Sequence, residues 1–214
     1  MKRLGRFAIL ACALSLLSNA ALSAQGTGGD ALLARMAAVN PHLRSYTASI
    51  HADVRMLSFP YLSPSLDGTY YHKEPDKNKL VFTSGVPAIA HQFSKVYPQV
   101  ESASRWKSVY EISVQGDDGT YTTFKLIPRR AGRVDHIDAK VDDRTATVAQ
   151  LRWNYTDNGG YATLDQHFAN FRGNRIVDRQ SGHVEVPSYT VDVNSTFANF
   201  RLNPNIPNSV FTQQ

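Results

Sequence analysis

From Ser45 to Met56 the chain alternates without a break. Tyr46, Ala48, Ile50, Ala52, Val54 and Met56 take one parity; Ser45, Thr47, Ser49, His51, Asp53 and Arg55 take the other. Side chains of a strand point to opposite faces in turn, so this pattern predicts a long strand with one dry and one wet face. Twelve extended residues span roughly 40 Å, a length suited to a wide, curved sheet. Ahead of it the period is 3.6. Ala31, Leu32, Ala34, Met36, Ala37 and Ala38 are good helix formers behind a capping Asp30, and Asn40-Pro41 ends the run. A helix over 30–40 is expected, with an apolar stripe that needs a partner.

After a loop marked by Pro60 and Pro64, residues 66–82 read as strand, Pro-containing turn and strand. A second helix is expected over 86–96, opened by Pro87, with Ile89, Phe93 and Val96 on one stripe. The remainder reads as a meander. Its strands are 107–115, 121–127, 133–141, 145–155, 161–171, 175–186 and 188–202, separated by turns such as Gly116-Asp117-Asp118-Gly119 and Asp157-Asn158-Gly159-Gly160. About ten strands and two helices with regular turn spacing predict an antiparallel sheet rather than any β-α-β fold. One internal echo stands out: Phe168-Ala169-Asn170-Phe171-Arg172 returns as Phe197-Ala198-Asn199-Phe200-Arg201. Poorly matching flanks argue for two strands in similar surroundings rather than a duplication.

The start of the chain changes the charge picture. Lys2, Arg3 and Arg6 precede a short apolar run from Phe7 to Leu17 and then small residues, the pattern of a secretory leader. Residues 1–24 are expected to be removed, with a cut after Ala20, Ser23 or Ala24. Residues 25–29 then form a flexible joint and 30–214 a single domain. Three of the 23 Lys and Arg lie in the leader, which leaves 20 against 18 Asp and Glu, a net of +2. With no basic block, nucleic acid is not an expected partner. The only cysteine, Cys12, is also in the leader, so the mature part has no disulfide and no thiolate metal site.

Catalytic patterns are missing. There is no Gly-x-Ser-x-Gly elbow, no phosphate-binding glycine loop and no His-Glu-x-x-His. The seven histidines stand singly at 42, 51, 72, 91, 136, 167 and 183. His136 and Asp138 share a strand face, which is a weak metal or proton site beside the simpler reading of a solvated surface. No enzyme, metal or cofactor is expected.

Three segments carry a family resemblance. They are Leu43-Arg44-Ser45-Tyr46-Thr47-Ala48, the hairpin from Gly68-Thr69-Tyr70-Tyr71-His72-Lys73 to Glu74-Pro75, and Asn205-Ile206-Pro207-Asn208-Ser209-Val210-Phe211 near the end. In this order the chain resembles the LolA-type periplasmic lipoprotein carriers and their LolB- and RseB-like relatives. The resemblance implies an α+β fold that is mainly β with two helices: an open, strongly curved antiparallel half-barrel with a helical lid on its concave face. It implies a monomeric periplasmic carrier of lipid or lipoprotein acyl chains, with an envelope membrane protein as donor or acceptor. An envelope sensor that recognises a protein or lipopeptide with the same sheet is the alternative. The chain departs from the carriers at one place: Glu74 stands where they have an arginine. Its carboxylate would disfavour an anionic headgroup at close range.

On this reading the hydrophobic groove is lined by Tyr46, Ile50, Val54, Tyr70, Leu80, Phe82, Tyr110, Ile112, Phe124, Leu126, Leu151 and Trp153, with His72 and Glu74 at its polar edge. Each apolar member alternates in phase on a strand. The same pattern also describes a sheet face packed against helices with no ligand between them.

Overall fold

The computed structural model describes residues 20–59, 62–83 and 102–212. A helix α1 (Ala20–Ala37) leads into β1 (Ser45–Met56), β2 (Ser65–Lys73) and β3 (Lys77–Phe82). A 3-10 turn (Ala103–Arg105) and the helical turn α2 (Trp106–Val109) come before β4 (Tyr110–Asp117) and β5 (Tyr121–Pro128). Next are β6 (Val134–Asp142), β7 (Thr147–Tyr155), β8 (Tyr161–Phe171), β9 (Asn174–Val186) and β10 (Tyr189–Leu202). The turn α3 (Ser209–Thr212) follows.

The ten strands form one antiparallel sheet in the order β3-β2-β1-β10-β9-β8-β7-β6-β5-β4. After β3 the chain passes to the far edge and meanders back until β10 lies beside β1. The two edges do not meet, so the sheet is an open half-barrel. Pairing slips by a residue between β1 and β10, β4 and β5, β6 and β7, and β8 and β9. Such bulges bend the bulged strand and increase its twist.

The parity of β1 holds. Ala48, Ile50, Ala52, Val54 and Met56 are buried, while Ser49, His51, Asp53 and Arg55 are exposed. Ser45 breaks the pattern: it is buried because its Oγ donates to the Pro204 carbonyl at 2.8 Å. On the dry face Val54, Met56 and Leu66 join Phe124, Leu126, Ile137, Val141, Leu151, Trp153 and Leu164 in one buried cluster. From α1, Leu32, Leu33 and Met36 close over it. The helix lies tight against the sheet at Gly29, where a Cβ would come within 2.7 Å of Val114. Beyond the helix, Asn40 exchanges two hydrogen bonds with the Arg175 backbone, at 2.8 and 2.9 Å.

Several expectations are corrected. The first helix begins ten residues before Asp30 and runs through Gly26–Gly29, so Asp30 is no cap; its carboxylate pairs with Lys107 Nζ at 2.8 Å. Residues 107–109 are helical rather than strand, part of a turn over Trp106–Val109 in which Trp106, at 2% exposure, turns inward as a core anchor. Thr145 and Ala146 belong to the β6–β7 turn, in which Thr145 N donates to Asp142 Oδ1. The described residues end on a helical turn, Ser209–Thr212, that the pattern did not announce. The expected helix over 86–96 lies outside the described residues.

Two glycines are required by close backbone approach. Gly68 faces Phe82 on β3, and a Cβ there would lie 2.6 Å from the Val81 carbonyl. Gly160 sits at φ +87°, and a Cβ would lie 1.9 Å from the Glu185 carbonyl. Each lets a hairpin and its neighbour close without displacing backbone.

Candidate ligand groove at one end of the half-barrel

The three segments that carry the sequence resemblance meet at one corner. Lys73, the lysine of the hairpin, donates from Nζ to the Ile206 carbonyl at 2.8 Å and to Asn208 Oδ1 at 3.2 Å. Glu74 N donates to the Arg44 carbonyl at 2.8 Å. Asn203, at φ +51°, accepts from Arg44 N at 2.7 Å and Ser45 N at 3.3 Å, while its own N–H donates to the Ser45 carbonyl. The motifs are therefore the parts of a single joint. It fixes the start of β1, the β2–β3 hairpin and the chain end against each other.

That joint frames a wall of aromatic rings. Register places Tyr46, Ala48 and Ile50 opposite His72, Tyr70 and Gly68 on β2, and Ile50 opposite Phe197 on β10. Ring centroids lie 5.8 Å apart for Tyr46–Tyr70, 4.9 Å for Tyr46–His72 and 6.4 Å for Tyr46–Phe200. The wall continues through Tyr70–Phe197 at 5.7 Å and Phe171–Phe200 at 5.5 Å, so it spans β2, β1, β10 and β8. All these rings are half-buried. Among the described residues the buried cluster under α1 does not extend to them. They share its face of the sheet but stand beyond its packing.

A polar edge borders the wall. Tyr70 Oη donates to Asn78 Oδ1 at 2.7 Å, and the same oxygen faces His72 Nδ1 at 2.8 Å. His72 Nε2 faces Glu74 Oε1 at 3.3 Å. Burial pushes the Tyr46 phenol well above its ordinary range, with Tyr70 and Glu74 adding to the effect. Burial also pushes the Tyr70 phenol up to about 12. Both rings therefore stay neutral at physiological pH, presenting apolar faces and protonated hydroxyls rather than charge. The arrangement can accept a hydrophobic chain along the rings and a polar group at the His72–Glu74 edge.

The expected groove residues divide between two places. Tyr46, Tyr70, His72 and Glu74 are brought together here, with Ile50 buried beside them. Leu80 is opposite Tyr70 and 37% exposed, and Phe82, half-buried, is opposite Gly68. Phe124, Leu126, Leu151 and Trp153 are 1–2% exposed inside the cluster under α1, and Val54 lies there too. Tyr110 and Ile112 pack against its margin. Phe171, Phe197, Phe200 and Asn78 were not expected at the site. The signal for the phenylalanines was the internal echo. Phe171 and Phe200 are the last rings of its two copies, and both copies fall where pairing slips, next to Thr47–Ser49 and His167–Phe168.

The outer face is polar. His51 pairs with Asp67 at 2.8 Å, His183 with Asp192 at 2.6 Å and His136 with Asp135 at 2.6 Å. Asn154 Nδ2 bridges His136 Nε2 and Asp138 Oδ2, at 3.0 Å each. Among the described residues no group of three or more His, Cys, Asp or Glu is arranged to hold a metal ion.

No protein-family model matches the chain, and no curated protein matches it by sequence. The architecture does match solved structures. A DUF1329 family protein from Desulfovibrio piger superposes with a TM-score of 0.66 at 12% identity, covering 87% of this chain and 96% of that one. An outer membrane lipoprotein-sorting protein domain from Vibrio parahaemolyticus gives 0.62 at 8% identity, covering 88% and 96%. A LolA superfamily protein from Nitrosomonas europaea gives 0.60 at 10% identity, covering 86% and 97%. The class defined by the strand order and the helix on the inner face is the open, LolA-like half-barrel. At such identities the likeness is one of fold.

Proposed function

We propose that this protein is a non-enzymatic carrier that holds the acyl chains of a lipid or lipoprotein along its aromatic wall. On this proposal it works in the periplasm after its leader is removed. The observation that carries the reading is the wall itself. Tyr46, Tyr70, Phe171, Phe197 and Phe200 form a contiguous apolar surface on the inner face, yet stand outside the packed cluster that stabilises the fold. Burying an acyl chain contributes roughly 0.8 kcal/mol per methylene, so a partly open wall of this extent binds one usefully. The likeness in fold to a lipoprotein-sorting domain supports the reading.

Glu74 sets the headgroup preference. Its carboxylate faces the polar edge beside His72, and it repels an anionic group placed there. Native mass spectrometry of gently purified protein tests the proposal. The wild type should retain an acyl-bearing ligand, and Glu74→Arg should keep the fold and retain more anionic lipid. If both purify empty and neither takes up a fluorescent fatty acid, the carrier reading is wrong.

A further inference from the structure

The other end of the half-barrel carries a second opening, formed where β4 and β6 begin and β5 and β7 end. It is a cleft of about 230 Å³. Tyr110, Val134, Ile137 and Trp153 give it an apolar lining, and Arg130 and Arg133 line it from the β5–β6 connection. Ile137 and Trp153 are 5% and 2% exposed, so they close its floor, and the half-buried Tyr110, Pro128 and Val134 supply the accessible apolar wall. The connection is tied at both ends: Arg129 N donates to the Val109 carbonyl and Thr156 N to the Arg133 carbonyl, each at 2.9 Å. Arg129 is engaged with Glu111 at 3.7 Å. Arg130 and Arg133 are exposed, and neither side chain has a partner among the described residues.

Two guanidinium groups beside an aromatic floor form a distinct chemical motif. A guanidinium is weakly hydrated and binds phosphate or carboxylate through paired N–H donors. The floor offers nothing to an ion but excludes water from a short alkyl chain. We propose that this cleft binds an anionic amphiphile, with the alkyl chain against Tyr110, Pro128 and Val134, above the closed floor of Ile137 and Trp153, and the phosphate or carboxylate on Arg130 and Arg133. This site is separate from the aromatic wall and does not depend on it.

Trp153 supplies the readout. The chain has two tryptophans, and Trp106 is not part of the cleft lining. Decyl phosphate below its micellar concentration should change tryptophan fluorescence saturably. Across hexyl, octyl and decyl phosphate, affinity should rise by up to about fourfold per methylene until the cleft is filled. The double variant Arg130→Gln/Arg133→Gln, changed only at exposed positions, should melt like wild type and bind at least about tenfold more weakly. Tyr46→Ala should leave this binding unchanged while weakening fatty-acid uptake at the wall, which separates failure of one site from failure of the other. Displacement by phosphatidylglycerol vesicles but not by phosphatidylcholine vesicles would assign the ligand to membrane lipid. Displacement by free decanoate alone would assign it to a soluble fatty acid. Equal binding of decyl maltoside, an unaltered double variant, or inorganic phosphate saturating the same signal at the same concentration would each overturn the proposal.

Discussion

Replacing Phe200 by alanine, with Phe124→Ala as its counterpart, separates a ligand wall from a filled core. Phe200 is half-buried, with ring partners Phe171 at 5.5 Å and Tyr46 at 6.4 Å. Losing two such pairs costs about 0.5–1.5 kcal/mol each, and the open side of the ring has little packing to lose, so a total of about 1–3 kcal/mol is expected. Phe124 is 1% exposed inside the cluster under α1, and its truncation leaves a closed cavity. That loss is about 3–5 kcal/mol. Urea denaturation monitored by circular dichroism measures both. Titration with a fluorescent fatty acid, on protein held well below its unfolding midpoint, gives the second axis. Phe200→Ala should lose little stability and at least about tenfold in affinity, since the wall forfeits a ring's worth of apolar surface. Phe124→Ala should lose much stability and keep its affinity. If Phe200→Ala is as destabilised as Phe124→Ala and binds like wild type, the wall is ordinary core.

Gly160→Ala should destabilise by about 2–4 kcal/mol, because the new Cβ meets the Glu185 carbonyl at 1.9 Å with φ at +87°. Gly119→Ala, at φ +79° in open space, should cost only about 1 kcal/mol, and equal melting temperatures for the two would refute the steric argument. The hydrogen bond to Asp67 raises the pKa of His51 above 6.5, so its stabilising contribution is complete below that value and is lost as pH rises through the raised one. The melting temperature of His51→Asn should fall below wild type in acid and converge with it above neutrality; a gap that widens with pH would contradict the pairing. Lys73→Met should loosen the chain end by about 1–2 kcal/mol and speed proteolysis after Leu202, since the Ile206 carbonyl loses its donor.

What the sequence made legible follows from how local the signal is. β1 was readable to the residue because its alternation is long and only one of its faces is dry. The hairpins were readable from turn residues whose backbone role is local, such as Asp157, Asn158 and Gly160, all at positive φ. The start of α1 was not, because Gly26–Gly29 reads as a break and nothing local favours helix there. Nor was the turn at Trp106, where alternation from Lys107 onward favoured strand and burial of one large ring decided otherwise.

The site was half legible for a different reason. Lys73, Ser45 and Ile206 could be noticed as fragments, but that they form one joint depends on contacts across more than 130 residues of chain. Core and groove could not be told apart at all by pattern. Phe124 and Phe200 are both phenylalanines on long apolar-rich strands, and each faces inward with apolar neighbours. What differs is what stands opposite. Leu32, Leu33, Met36 and Trp106 close over the sheet at Phe124, whereas the buried cluster they complete stops short of Phe200 among the described residues. The echo around Phe171 and Phe200 was the one sequence feature that tracked this difference. Each copy lies at a slip in register: the extra residue falls within the second copy on β10, and on β9, at Asp178, opposite the start of the first, and a bulged strand bends and twists more strongly there. The two copies thus lie beside bulges at one end of the half-barrel, with their last rings set against each other, which makes an aromatic wall where a continuous ladder would have made more core.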